Sequence, residues 1–408
     1  MTLRENADQI VRDAIRAVLP DEAVRRALCG RDFGAGRLVL VSVGKAAWQM
    51  AAAASMQLGD RISAGVVVTK YGHSRGPLPH IACVEAGHPV PDQNSFLGTE
   101  QALALVSGLC KEDTVLFLLS GGGSALFEKP LLPAAELQDI TRQLLACGAA
   151  ITEINTIRKR LSGVKGGRFA LACRPARVFS IVLSDVLGDP LDAIASGPAA
   201  PDPSTAAQAV AIAQKYGLSL SKAAWALLQT DTPKALDNVE TQITGSVREL
   251  CRAAADSCRA LGYKPVVLTD RMDGEARQVG AFLGSIARTH AEDGPLALIA
   301  GGETVVHLTG KGRGGRNQEL ALAAAPQIAG LAGVALFSLG SDGTDGPTDA
   351  AGGFVDGDTQ ARLCAQGLET EEILRRNDAY PALQKIGGLL MTGPTGTNVN
   401  DVAVALIR

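Results

Sequence analysis

The feature that most constrains this chain is a set of short, wholly aliphatic runs, each ending abruptly in glycine, serine or aspartate. Leu38–Val43 stops at Gly44 and gives way to the alanine-rich stretch Ala46–Leu58. Val115–Leu119 stops at Ser120-Gly121-Gly122-Gly123-Ser124, and Val178–Leu183 stops at Ser184-Asp185. Runs without alternating polarity predict strands buried on both faces. The helical spacing between them predicts a mainly parallel sheet wrapped by helices. Shorter runs at Gly65–Thr69 and Ile81–Glu85 extend that sheet. In such sheets ligands bind beyond the carboxyl ends of the strands, which is where the polar clusters fall.

The alternation pauses once. Asp231-Thr232-Pro233 interrupts a helical pattern, and the acidic stretch to Glu240 reads as a linker, which puts a boundary between Thr230 and Ile243. Beyond it the pattern predicts helix Val247–Leu261, strand Pro265–Leu268, helix Glu275–Ala291 and strand Leu296–Ala300. A strand at Val305–Leu308, helix Gln318–Ala325, strand Val334–Leu339 and a closing strand at Asn400–Ile407 follow. These elements predict an α/β protein of two lobes. The larger is a Rossmann-like N-terminal domain over 1–236, the smaller an α/β domain over 237–408, with the functional site in the cleft between them.

Composition narrows the function classes. Glycine supplies 46 of 408 residues and aromatics only 4%, an excess of tight turns over aliphatic elements. A formal net charge of −3 argues against an electrostatic nucleic-acid binder. No apolar run reaches the length of a membrane span, and Met1–Leu28 alternates charged and apolar residues, unlike a signal peptide. The eight cysteines form no C-x-x-C pair and are expected mostly as small core residues. The chain therefore reads as a soluble cytoplasmic protein with reduced thiols and no structural zinc.

Several clusters carry chemistry. Gly44-Lys45-Ala46 places a lysine where a strand turns into a helix, where free N–H groups and the helix dipole favour an anion. The same residues also suit an exposed lysine in a tight turn. The Ser120–Ser124 run can converge backbone N–H groups into an anion nest, or form an ordinary loop. Asn155 through Arg168 packs five basic residues together, with Asn155 and Lys165 the better ligand candidates; the alternative is a solvated face. Ser184-Asp185 and Gly188-Asp189 set two carboxylates after a strand, able to hold Mg²⁺ or to cap a helix.

The C-terminal half adds Glu303 between two predicted strands, and Arg316-Asn317-Gln318 opening a helix. Gly310, Gly312 and Gly315 satisfy G-x-G-x-x-G, but Lys311, Arg313 and Arg316 are too much charge for a pyrophosphate turn, and an Arg-Asn pair suits anion recognition better. Asp342-Gly343-Thr344-Asp345 is either a cation site or a cluster of Asx turns. Thr397-Asn398-Val399-Asn400-Asp401 is a donor-rich turn before the last strand.

In this order the clusters resemble the class II glycerate kinases, with a DUF4147-type N-terminal region and a MOFRL-type C-terminal region. The resemblance rests on Val43–Ala46, Gly87–Asp92, Leu119–Ala125, Asn155-x-x-Arg158-Lys159-x-Leu161-Ser162, Leu183–Asp185, Gly188-Asp189 and Ala195–Pro198. It continues through Gly301–Thr304, Gly315–Glu319, Gly340–Gly346 and Thr397–Asp401. It implies ATP- and Mg²⁺-dependent phosphorylation of D-glycerate to 2-phosphoglycerate by a monomer or homodimer, with ATP and D-glycerate as its small-molecule partners. It also implies catalytic roles for Lys45 and Arg316; from the carboxylate clusters themselves, Asp189 and Asp345 are the residues expected at the metal, with Asp185 and Asp342 next in line. Some relatives carry the label hydroxypyruvate reductase, which makes reduction with NAD(P)H the alternative. Phosphoryl transfer wants scattered cations, backbone nests and carboxylates, and this chain supplies all three. As exposed loop charges, Lys45 and Arg316 should each be replaceable without loss of fold.

Overall fold

The structure, a computed structural model, describes residues 1–408. The chain forms two compact units. One comprises Ala23–Leu183 and Asp189–Thr244; the other comprises Met1–Glu22, Ser184–Gly188 and Gly245–Arg408. A single cut near residue 236 was the expectation; instead the chain passes from unit to unit four times. The first of these passages follows from the first helix, Leu3–Ala17. Its apolar face (Ala7, Ile10, Val11, Ala14) is buried in one cluster with Val247, Leu250, Ala254, Phe337 and Val402 of the C-terminal half. No helix is long and apolar enough to cross a membrane.

The unit built from Ala23–Leu183 and Asp189–Thr244 is organised on a six-stranded sheet. Its strands are β1 (Leu38–Val43), β2 (Ile62–Lys70), β3 (Ile81–Ala86), β4 (Thr114–Leu119), β5 (Arg177–Leu183) and β6 (Val239–Gly245). Their order is β3-β2-β1-β4-β5-β6, and the pairs β1–β2, β2–β3, β1–β4 and β4–β5 are parallel. Successive strands step outward from β1 to β3, then the chain returns to lay β4 on the other side of β1. This is the doubly wound order, and the reversal between β1 and β4 opens a crevice at their carboxyl ends. Every residue of β1 and β4 is buried, which explains their unbroken aliphatic sequence. β6 occupies part of the stretch expected as a linker; its pattern of half-exposed residues in Val239-Glu240-Thr241-Gln242 disguises an edge strand.

The other unit holds a mixed sheet of β7 (Lys264–Met272), β8 (Leu296–Gly302), β9 (Val334–Gly340), β10 (Gly352–Asp356), β11 (Leu389–Leu390) and β12 (Asp401–Ile407). The order is β11-β10-β9-β12-β8-β7, with the final strand antiparallel to both β8 and β9. Val305–Leu308 is not a strand. It contributes one bridge, Glu275 to Val305; Val305 and Leu308 are exposed, Leu308 at 81%, while Val306 packs against the core. Only three cysteines are buried, Cys173, Cys251 and Cys258, whereas five are exposed, so most are not the core residues that composition suggested. None forms a disulfide.

Candidate active site

In the first unit the β1–β4 register sets the geometry. Val43 and Leu119 are partners at the ends of their strands, so Gly44 and Ser120 emerge side by side. Ser120 N–H donates to the Val43 carbonyl at 2.9 Å, Lys45 N–H to the Gly121 carbonyl at 2.9 Å, and Ala46 N–H to Ser120 Oγ at 3.1 Å. Gly44 has φ +124°, and a Cβ there would stand 2.2 Å from Ser120 Oγ, so only glycine admits this crossing. Ser120 is thus a strut between the two loops, its hydroxyl committed to backbone.

The Lys45 side chain, by contrast, has no hydrogen bond or ion pair within the protein. Its Cε lies over Gly122, as does the ring of His88: a Cβ built on Gly122 would be 3.2 Å and 3.0 Å from them. Burial first, then the charges of Lys45 and Lys70 and the His73 ring, hold the His88 pKa below its usual 6.5. Gly121, Gly122 and Gly123 follow β4 as expected, and Ser124 Oγ meets Ser196 Oγ at 3.0 Å. Ser196 in turn donates to Asn155 Oδ1 at 3.3 Å. Three separate sequence clusters are joined by this chain. Ala195 and Ser196 are held at φ +50° and +62°, strain of the kind that collects at ligand sites.

The basic segment does not form a polyanion surface. Lys159 pairs with Asp192 and Asp202 at 2.8 and 3.2 Å. Arg160, fully buried, binds Ser204 and lies 3.8 Å from Asp202. Arg168 donates to the carbonyls of Lys159 and Ser162. Lys165 is wholly buried against Glu128, burial pushing its pKa down to about 8 against the pull of that carboxylate. Lys165 is therefore a core ion pair, not a ligand group on a surface.

Asp189 follows β5 at φ +55°, and its Oδ1 is buried without a hydrogen-bond partner. Ser184 is buried and closes its own turn through Val186, with Asp185 half-buried beside it.

In the second unit, Asp401 opens β12 directly between Gly302 at the end of β8 and Gly340 at the end of β9. Arg316, the first residue of the helix Arg316–Ile328, is gripped there. Its Nε and Nη2 donate to the two Asp401 oxygens at 2.6 and 3.0 Å, and its Nη1 reaches Glu303 at 2.9 Å. Burial works against the charge on Arg316, and the bonds to Asp401 outweigh it, raising its pKa above the ordinary value.

Asp345 holds the same helix from below. Its Oδ1 accepts from Asn317 N–H at 3.1 Å and its Oδ2 from Gln318 N–H at 2.9 Å. Both oxygens accept from the helix start, which is the capping alternative considered for Asp345. Asn317 and Gln318 are also buried and turned inward, to Ser338 and Thr348. Thr344 N–H donates to Asp342 Oδ1 in an Asx turn. Asn398 Oδ1 accepts from Asn400 N–H, and the buried Asn400 Nδ2 has no acceptor.

The glycine triple is not a dinucleotide loop. Gly310 N–H donates to Asn377 Oδ1 at 2.8 Å and Gly312 N–H to the Arg376 carbonyl at 2.9 Å. A Cβ at either would strike Arg376 backbone. Close packing, not phosphate, asks for glycine there. Sequence reasoning passed over His88 and Arg158 as site residues, although both lie in quoted motifs; only the packing brings them to the glycine loop.

Residues 6–229 match the model of a domain of unknown function, DUF4147, and residues 296–401 match the MOFRL family. A D-glycerate 2-kinase of Thermotoga maritima is 52% identical, covering 100% of this chain and 99% of its own length. A crystal structure of a glycerate kinase from the same organism superposes with a TM-score of 0.96 at 52% identity, over 100% of this chain and 99% of that one. A protein of Agrobacterium vitis, 40% identical over 91% of this chain and 87% of its own length, bears the provisional name hydroxypyruvate reductase.

Proposed function

For a chain that belongs to the glycerate kinases of the DUF4147 and MOFRL type, we propose direct in-line transfer of the γ-phosphoryl group of ATP to the 2-hydroxyl of D-glycerate. The products are ADP and 2-phosphoglycerate. The observation that carries this reading is the uncommitted Lys45 ammonium at the β1–β4 crevice, over a loop of three glycines. Phosphoryl transfer is mostly positioning and charge neutralisation. Lys45 supplies a mobile positive charge for that purpose. Arg316 supplies a fixed guanidinium donor, oriented by Asp401 and paired on its remaining arm with the partly exposed Glu303. The buried, unpaired Asn400 Nδ2 beside Asp401 is a further donor for an anion.

Mg²⁺ fits the residues present at one of the two expected positions. Asp189 has a buried carboxylate oxygen with no partner, whereas both Asp345 oxygens are spent on the helix. We therefore assign the metal to Asp189; bound there it would neutralise phosphate charge. The role of accepting the hydroxyl proton is assigned to His88, whose ring lies with Lys45 over Gly122 and whose pKa burial and the neighbouring lysines lower.

The test is to supply D-glycerate with MgATP and read the product through enolase and pyruvate kinase, since enolase takes the 2-phospho isomer. Signal only after adding phosphoglycerate mutase would move the transfer to the 3-hydroxyl. Oxidation of NADH or NADPH by hydroxypyruvate, with no ADP formed from glycerate, would replace the kinase with a reductase.

A further inference from the structure

Of the five basic residues between 158 and 168, four have their charge answered inside the fold. Lys159 and Arg160 share Asp192, Asp202 and Asp231, Arg168 is ringed by carbonyls, and Lys165 has Glu128. Arg158 is the remainder. Its one hydrogen bond runs from Nη2 to the Ser124 carbonyl at 3.2 Å, and it has no ion pair. The side chain is half-buried. Burial lowers its pKa, and the only charge working the other way is Glu128, which already serves Lys165. Glu128 is thus taken by Lys165, its Oε1 making no hydrogen bond, and Arg158 has no carboxylate of its own. Its positive charge is half withdrawn from water, a state that an anion would relieve.

We propose that Arg158 is the anchor for the carboxylate of D-glycerate. The proposal rests on the glycerate kinase reading, and it deepens it by separating the group that holds the acid from those that handle phosphate. Arg158 itself carries one unanswered charge, which a glycerate monoanion would match. The planar guanidinium fork matches carboxylate oxygens in a way a lysine does not. The neighbourhood also suits a hydroxy acid, because the Ser124 carbonyl that Arg158 grips belongs to the residue whose hydroxyl begins the Ser124–Ser196–Asn155 chain. Ser124 closes the glycine loop over which Lys45 lies. A carboxylate on Arg158 would therefore be bound beside the loop that Lys45 overlies, with hydroxyl partners at hand.

The experiment compares wild type, Arg158→Lys and Arg158→Gln in initial-rate kinetics with D-glycerate and MgATP varied separately. Calorimetric titration of each protein with D-glycerate alone accompanies it. Arg158→Gln should raise the KM for D-glycerate on the order of 10²-fold, the usual loss for a charged hydrogen-bond pair, with the KM for ATP unchanged. Arg158→Lys, which keeps the charge but loses the fork, should fall between and melt with wild type; if the Gln variant fails to fold, the Lys variant decides. A rise in the KM for ATP in place of that for D-glycerate overturns the proposal, as do wild-type constants in both variants. Wild type that phosphorylates no glycerate, yet binds it only when Arg158 is present, would remove the kinase and keep the anchor.

Discussion

Asp345 occupies the space that a side chain on Gly315 would take: a Cβ there would stand 2.2 Å from Asp345 Cγ and 2.4 Å from its carbonyl carbon. The glycine lets the carboxylate reach the start of the Arg316 helix, so the cation and its support depend on a missing methyl. Gly315→Ala should cost about 1–3 kcal/mol of stability, the range for overpacking a tight site, and lower turnover because Arg316 is displaced. Chemical denaturation and kcat measure the two effects. Wild-type values for both would show that the helix start does not depend on this contact.

Asp345 itself should leave a mark on stability against pH. Burial raises its pKa from the ordinary carboxylate value, near 3.8, to about 7, with the Gln318 and Asn317 N–H groups pulling the other way. Between those limits the native state keeps a proton that the unfolded chain has released. The contribution to stability is therefore greatest below about pH 4, declines as pH rises, and is gone above about pH 7. Asp345→Asn, still able to cap, should flatten that slope in melting curves taken from acid to neutral pH. Asp345→Ala should lose about 0.5–2 kcal/mol. Neither should change the magnesium titration of activity, and a shift there would return Asp345 to the metal.

Lys45 and Arg316 should part company when removed. Lys45→Ala breaks no internal bond, so the melting temperature should stay while turnover falls on the order of 10²–10³-fold. Arg316→Ala strands Asp401, which is buried at the centre of its sheet. It should cost about 1–3 kcal/mol in addition to activity. The expectation that either is replaceable with folding intact is therefore kept as a prediction for the lysine and revised for the arginine. Equal melting temperatures for the two variants would contradict the pairing.

Asp189→Asn should raise the magnesium concentration needed for half-maximal rate without moving the melting temperature much, because the carboxylate oxygen in question bonds to nothing in the protein. An unaltered magnesium curve would place the metal elsewhere, with Asp185 and Asp342 the next carboxylates to replace.

The sequence was most legible where one force dominates. β1, β4 and β9 are buried along their whole length, so hydrophobicity alone marks them. Where a strand is half-exposed, as in β6, or two residues long, as in β11, that signal vanishes. Val305 and Leu308 mislead for the opposite reason, being apolar yet exposed. Lys45 and Arg316 were readable because a strand end or a glycine run flags them. The direction of a charge was not readable: nothing local distinguishes Arg158 from Lys159 or Lys165, and only tertiary packing decides which of them meets a carboxylate. Likewise the glycines at 310 and 312 spell a phosphate loop in one dimension and a packing contact in three.

The first helix has a consequence for synthesis. Ile10, Val11, Ala14 and Ile15 belong to a core whose other members include Val247, Phe337 and Val404, and Thr397 closes on the Val18 carbonyl at 2.9 Å. A ribosome therefore releases these residues long before their partners exist. The segment from Ala23 to Leu183 can condense while the apolar face of that helix waits unburied, a hazard for aggregation, until the residues from Val247 to Val404 have been made.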